Sequence, residues 1–212
     1  MEMKLEHCQI HPSPCTAQQE LSLPLTHFDI PFLVSGPTQR LIFFDFPCSK
    51  SNFLDIIVPD LKKSLATTLA HFLPLAGNII LQLNSCNRPV NRYTSGDSVS
   101  LTIAQCGLDF DYLTGNHQRV SDEFYACVPQ LGPARRSPNL IILPVMALQI
   151  TLFPRQGICL GLTNHHAGGD ESSIINFVKV WASINGSGAA AGEEVNDDEL
   201  EYFPFAAECR NL

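Results

Sequence analysis

The sequence predicts an α/β domain, because short apolar runs of strand length occur together with two amphipathic helical stretches. The last two strand-like runs are separated only by a turn, which favours a hairpin. Apolar residues make up 45% of the 212 residues and charged residues only 16%. This balance is typical of a globular chain with a substantial core, and it argues against a disordered one.

Strand predictions in the first half rest on apolar or alternating runs that end at turn-forming residues. The predicted strands lie in "KLEHCQIHPSP" (4–14), "QRLIFFDFP" (39–47), "NIILQL" (78–83) and "SVSLTIAQC" (98–106). The segment "LSLPLTHFDIPFL" (21–33) is broken by prolines and rich in aromatic residues, so it is predicted to be a fixed loop.

Two stretches have the periodicity of helices that bury one face. The first begins near Pro59, which suits a first-turn position, and "PLAGN" ends it with Gly77. Its apolar face is formed by Leu61, Leu65, Leu69 and Phe72. The second follows Asp170 and is closed by glycines at 186 and 188. Its apolar face is formed by Ile174, Val178, Trp181 and Ile184.

The remaining segments predict loops and one hairpin. Residues 107–139 are loop-rich, with a short helical turn in "SDEFYACVPQLGP" (121–133). The runs "NLIILPVMALQITLFP" (139–154) and "GICLGLTNHH" (157–166) are each interpreted as one strand, joined near Pro154–Gly157.

Charge is unevenly distributed. Residues 1–192 hold 14 acidic and 12 basic side chains, whereas residues 193–208 alone hold seven acidic ones. The small and then acidic composition of residues 186–212 predicts a linker that follows a domain of residues 1–185. Nothing forms a basic patch, so nucleic acid is not expected as a partner.

The eight cysteines are scattered, without a C-x-x-C pair or zinc-type spacing. The N-terminus lacks the apolar core of a signal peptide, and no apolar run approaches the ~20 residues of a membrane span. We therefore expect a soluble, reduced, cytoplasmic protein that does not associate with a membrane.

The segment "TNHHAGGDESS" (163–173) lies between the last predicted strand and the second helix. A histidine at such a junction can act as a general base, because its ordinary pKa of about 6.5 lies near neutrality. Another interpretation needs no catalysis: Asp170 is a good N-cap, and His165 and His166 are polar residues at a strand end. A metal site is less favoured, since H-E-x-x-H is absent and no cysteine cluster supports it.

The segment "NHHAGGD", residues 164–170, resembles the His-x-x-x-Asp motif of the plant acyl-CoA-dependent acyltransferases called the BAHD family. Further segments resemble the family in its own order. They are "LSLPLTHFDIPFL", "QRLIFFDFP", "LKKSLATTLAHFLPLAGN" and "TLFPRQGICLGLTNHHAGGDESSIINFVKVWASIN". The resemblance covers about residues 4–205, and it is greatest to the branch that acylates anthocyanins and other phenolic glucosides, often with malonyl-CoA.

The resemblance implies a chloramphenicol-acetyltransferase-like fold, in which a mixed β-sheet is covered by helices. It also implies that His166 is the general base, that Asp170 is a structural brace of the turn, and that His165 is structural, with Gly168 and Gly169 supporting the turn. The acyl group would pass directly from acyl-CoA, a co-substrate and not a tightly bound cofactor, to a small-molecule hydroxyl. The family is normally monomeric.

The chain departs from the family pattern in two ways. Glu171 stands where a small residue often follows the aspartate. No Asp-Phe-Gly-Trp-Gly motif occurs, so the chain resembles only the N-terminal domain of a two-domain architecture.

Two functions therefore remain open. One is an acyltransferase that is impaired as a half-length chain. The other is a non-catalytic, truncated relative whose uncovered apolar surface leads to self-association. A metal hydrolase is a remote third option.

Overall fold

The computed structural model describes residues 2–14, 20–83 and 86–187. Ten strands form two five-stranded sheets, and helices pack against them. The strands are β1 (Glu2–Ile10), β2 (Glu20–Pro24), β3 (Thr38–Asp45), β4 (Asn78–Gln82), β5 (Val90–Thr94), β6 (Val99–Cys106), β7 (Arg135–Ser137), β8 (Leu140–Pro144), β9 (Met146–Phe153) and β10 (Gly157–Asn164). The helices are α1 (Lys50–Asn52), α2 (Val58–His71), α3 (Leu73–Ala76), α4 (Phe110–Thr114) and α5 (Glu171–Ser187), with a π-helical turn at Phe53–Ile57 and 3-10 helices at Ile30–Leu33, Ser121–Cys127 and His166–Gly168.

The first sheet is mixed, as the resemblance implies. Its order is β1-β6-β9-β10-β3, with β6 and β9 parallel and the other neighbours antiparallel. The strands β9 and β10 form the predicted hairpin, in which Gly157 pairs with Phe153. Every residue of both strands is buried, because helices or loops cover both faces of the sheet.

The larger core lies between this sheet and the helices α2 and α5. Alternate residues of β9, namely Leu148, Ile150 and Leu152, face it, as strand geometry requires. The opposite face of the sheet packs against α4 and the 3-10 helix Ser121–Cys127, which together form a smaller core.

The two predicted helices are present, and their predicted apolar faces are largely buried, but the first ends at His71 and not at Gly77, which instead follows the separate short helix α3. Leu65 and Leu69 of α2 are fully buried. Ile174 and Trp181 of α5 are almost fully buried. The indole Nε1 of Trp181 donates to Ser64 Oγ at 3.0 Å, which joins the two helices. Helical structure nevertheless begins before Pro59, at Lys50, where the Ser49 hydroxyl caps the first turn by accepting from the Asn52 amide.

The prediction of a fixed loop over residues 21–33 was partly wrong. Residues 20–24 form β2, which pairs with β5 in the second sheet, whose order is β2-β5-β4-β8-β7. Proline is tolerated here because β2 is an edge strand and Pro24 is its last residue. The strands β5 and β7 were not predicted, because their polar residues hide any apolar alternation.

The prediction of one strand over residues 139–154 was also wrong. This run forms two strands in different sheets, β8 and β9, with Val145 between them. Pro144 ends β8, and the backbone groups of Val145 form hydrogen bonds outside both strands. Its N–H donates to the Gly77 carbonyl at 3.3 Å, and its carbonyl accepts from His165 N–H at 2.8 Å.

The predicted linker of residues 186–212 lies outside the described residues apart from its first two positions. Gly186 is part of α5, and Gly188 is not described. The six cysteines in the described part of the chain are free. In that same part, no helix is long and apolar enough to cross a membrane.

Candidate functional site

The "NHHAGGD" segment forms the predicted turn between a strand and a helix. The strand β10 ends at Asn164, the 3-10 helix occupies residues 166–168, and α5 begins at Glu171. Several hydrogen bonds hold the turn to itself and to the sheet, and three of them are 3.2 Å or shorter. His165 N–H donates to the Val145 carbonyl (2.8 Å), Gly168 N–H donates to the His165 carbonyl (2.8 Å), and Asn164 Nδ2 donates to the Gly169 carbonyl (3.2 Å).

The two glycines of the turn have different surroundings. A Cβ atom on Gly168 would lie 2.6 Å from Val145 Cγ1, so only glycine fits there without movement. A Cβ atom on Gly169 would lie 3.4 Å from its nearest neighbour, Leu75 Cδ2, which is an ordinary contact. The close approach to Val145 therefore depends on Gly168 alone.

Asp170 caps α5. Its Oδ1 accepts a hydrogen bond from Ser173 N–H at 2.9 Å, the geometry expected of an N-cap side chain. Hydrogen bonds from the Ser173 side chain and backbone lower the pKa of this exposed carboxyl below its ordinary value, and the nearby His166 lowers it further. The aspartate is thus ionised at neutral pH and oriented toward the helix.

Glu171, the departure from the family pattern, points toward the neighbouring strand. Its Oε1 lies 3.9 Å from Nη2 of Arg40 on β3, and its side chain is 74% exposed. Arg40 Nη1 also donates to Asn164 Oδ1 at 3.4 Å. An ion pair this exposed contributes at most about 1 kcal/mol, so Glu171 is tolerated at the surface without disturbing the cap.

His166 is half-buried and stacks on Phe32. The ring centroids are 4.0 Å apart, and the ring planes differ by 11°. Phe32 belongs to the 3-10 helix Ile30–Leu33, which packs beside the turn although it is 134 positions away in the sequence. One face of the imidazole is therefore covered, while the residue as a whole stays partly exposed.

His165 has different surroundings from His166. It is only 9% exposed, and no described residue forms a hydrogen bond with its Nδ1. Burial lowers the pKa of this imidazole below its ordinary value, and the adjacent His166 adds a smaller effect in the same direction. A buried, neutral ring is consistent with a structural role.

The structure thus brings together the five residues that the motif predicts, and it adds contacts that sequence reasoning missed. Phe32, Arg40 and Val145 contact the turn from elements that are distant in the chain. No local signal marks them, because their contacts arise from the packing of β3, the 3-10 helix and the β8–β9 junction. Among the described residues, no three side chains of His, Cys, Asp and Glu converge as a metal site requires.

Known proteins that are similar to this chain identify its family. A family model described as "Transferase family" matches residues 3–206. The chain belongs to the BAHD acyltransferase family. The resemblance read from the sequence is therefore confirmed.

Two of its BAHD relatives are malonyltransferases that act on glucosides. The chain is 47% identical over 95% of its length to malonyl-coenzyme:anthocyanin 5-O-glucoside-6'''-O-malonyltransferase of Salvia splendens. It is 42% identical over 97% of its length to phenolic glucoside malonyltransferase 1 of Nicotiana tabacum. It covers 43% and 44% of these two proteins, so the chain spans less than half the length of the curated relatives it matches.

Solved structures share the fold. Vinorine synthase superimposes with a TM-score of 0.65 at 20% identity, over 96% of this chain and 47% of that protein. TRI101 of F. sporotrichioides, solved with coenzyme A and T-2, gives a TM-score of 0.53 at 14% identity, over 85% of this chain and 41% of that protein. At these identities the likeness establishes the BAHD fold, and it confirms the predicted fold class.

Proposed function

We propose that this chain carries the general base of an acyl-CoA-dependent O-acyltransferase that acylates phenolic or flavonoid glucosides. The observation that carries the proposal is His166, held half-buried at a braced strand–helix turn. The family membership and the names of the relatives support it.

The proposed step is a direct acyl transfer. A ring nitrogen of His166 takes the proton of an acceptor hydroxyl, and the oxygen attacks the thioester carbonyl carbon of acyl-CoA. The tetrahedral adduct collapses as the C–S bond breaks, and the thiolate of CoA leaves with the proton from the imidazolium. No acyl group becomes attached to the protein.

The other residues of the turn have supporting roles in this proposal. Asp170 braces the turn by capping α5, as its hydrogen bond with Ser173 supports. His165 is structural, in keeping with its burial. Gly168 allows the turn to approach Val145, and Gly169 continues the backbone toward the cap.

Malonyl is the proposed acyl group, and malonyl-CoA is the proposed donor. The malonyltransferases of Salvia and Nicotiana are 47% and 42% identical to the chain. A coumaroyl-CoA:anthocyanidin 3-O-glucoside-6''-O-coumaroyltransferase of Arabidopsis thaliana is 35% identical. This order favours malonyl over an aromatic acyl group. The names of all three relatives include a glucoside, which favours a glucosyl hydroxyl as the acceptor. We further propose that the residues up to the end of α5 form the N-terminal acyltransferase domain, that the acidic residues after it form a linker, and that the protein is cytoplasmic.

The test is transfer from malonyl-CoA to a flavonoid glucoside by the pure chain and by His166→Ala. Loss of a positioned general base lowers the rate by about 10²- to 10⁴-fold. The matched control is His27→Ala, which removes an exposed imidazole outside the turn. Transfer that survives in His166→Ala would count against the proposal. A wild-type chain without any transfer would favour the alternative, a non-catalytic member of the family.

Asp170→Asn separates bracing from charge in the same assay. Asparagine retains an oxygen that can cap α5, so we expect the fold and most of the transfer rate to be kept. Asp170→Ala removes the cap and is expected to cost about 0.5–2 kcal/mol of stability. Equal loss of activity in both variants would show that the negative charge itself is needed.

A further inference from the structure

Phe32 covers one face of the imidazole that is proposed as the general base. The two rings stack with centroids 4.0 Å apart and planes 11° apart. Phe32 is 37% exposed, so burial of its own ring does not fully account for its position. A stacked ring excludes water from one imidazole face and limits rotation of the His166 side chain.

The loop that carries Phe32 is itself held in place. Both Oγ1 and the backbone N–H of Thr26 donate to Asp29 Oδ2 at 2.7 Å. Phe32 N–H then donates to the Asp29 carbonyl at 3.0 Å, and Ser35 Oγ donates to the Phe32 carbonyl at 3.0 Å. Hydrogen bonds on both sides of Phe32 therefore fix the backbone from which its ring projects.

We propose that Phe32 is a positioning residue for His166. The phenyl ring of Phe32 holds the imidazole in the orientation that directs a nitrogen lone pair at the acceptor hydroxyl. The inference rests on the proposed function of His166. Proton transfer needs a nitrogen within about 2.6–3.2 Å of the hydroxyl oxygen, with an alignment of about 10–20°. Phe32 has no group that exchanges protons, so it acts only through the imidazole.

The first test follows the stack directly in the 212-residue chain. In the wild type, the ring current of Phe32 should displace the His166 ring-proton resonances upfield, and His166→Asn assigns these signals. We expect Phe32→Leu to abolish the displacement and Phe32→Tyr to keep it. The matched control is Phe28→Ala, which removes an 86% exposed aromatic ring from the same loop and should change nothing.

The second test separates positioning from substrate binding. We expect Phe32→Leu to lower kcat by about 10- to 100-fold, as misplacement of a catalytic group does, with the KM for malonyl-CoA and for the glucoside unchanged. Phe32→Tyr should restore kcat. Thermal unfolding measures whether each variant folds. If Phe32→Tyr does not fold, Phe32→Trp takes its place.

Two results would overturn the inference. One is unchanged His166 resonances in Phe32→Leu, and the other is a rise in KM with kcat retained, which would make Phe32 a binding residue. Failure of the proposed function has a different signature, because transfer would then survive in His166→Ala or be absent from the wild type, whatever the resonances show.

Discussion

His165 and His166 are adjacent in the sequence, yet their side chains have different environments. The first ring is 9% exposed with no hydrogen bond to Nδ1 from any described residue, and the second is half-buried against Phe32. The difference follows from the turn, because His165 ends the extended backbone and His166 begins a 3-10 helix. A one-residue change of position thus decides which imidazole stays partly exposed.

The burial of His165 predicts a dependence of stability on pH. Its folded-state pKa lies below the ordinary value, so the unfolded chain binds a proton more readily than the folded chain. Stability is therefore lost as the pH falls through the unfolded pKa of about 6.5, and the loss is complete below the folded pKa. We expect His165→Asn to lose less stability on acidification than the wild type.

Urea unfolding at about pH 7.5 and about pH 5.5, on either side of that ordinary pKa, measures the difference. His27→Asn is the matched control, since it removes an exposed imidazole. Equal losses in His165→Asn and the wild type would show that burial of His165 does not govern the effect.

At the scale of elements, the junction of β8 and β9 supports the turn. Val145 lies between strands of different sheets, and both its carbonyl and its side chain contact the turn. Gly168→Ala would place a Cβ 2.6 Å from Val145 Cγ1, and we expect this overpacking to cost about 1–3 kcal/mol. The transfer rate should fall with it, because the same turn carries His166.

A double-mutant cycle measures this contact. In Gly168→Ala combined with Val145→Ala the clash is absent, so we expect a favourable coupling energy of about 0.5–3 kcal/mol in denaturant unfolding. Gly169→Ala is the matched control. Its backbone is extended, with φ of 176°, and its new Cβ has room, so its stability should change by only about 0.5 kcal/mol. Additive effects at Gly168 and Val145 would contradict the account.

Which elements the sequence could predict depends on where their partners lie. The helices α2 and α5 and the hairpin of β9 and β10 were predictable, because periodicity and adjacent pairing are local signals. The break between β8 and β9 had a local signal in Pro144, but an apolar run does not show which sheet each half joins. The motif residues were recognisable for the same local reason, whereas Phe32 is brought to His166 only by the tertiary fold.

At the scale of the whole molecule, the two sheets meet beside the site. Mixed pairing in the first sheet places β10 between β9 and β3, so the turn after β10 lies next to Arg40 of β3 and to the junction at Val145. The site is therefore built from distant segments that the sheet order brings together.

The surface of the isolated chain predicts self-association. An apolar groove lies between the helices α2 and α5 and the strands β3, β9 and β10. Its buried lining residues are Ile150, Ile158, Leu160 and Trp181, and its partly exposed ones are Phe44, Leu61, Val178, Ala182 and Asn185. Elsewhere on the surface, Phe28 and Val34 are 86% and 92% exposed. Because exposed apolar surface favours association, we expect the 212-residue chain to form dimers or larger species as its concentration rises.

Ala182→Glu tests whether this groove is responsible, since it places a charge at the lining and should raise the monomer fraction in sedimentation equilibrium. Asn176→Glu is the matched control, because it adds the same charge at an exposed position of the same helix and leaves the groove unchanged. Circular dichroism shows that both variants fold. A wild-type chain that stays monomeric at high concentration would contradict the prediction, and equal dissociation in both variants would assign the effect to net charge instead of the groove.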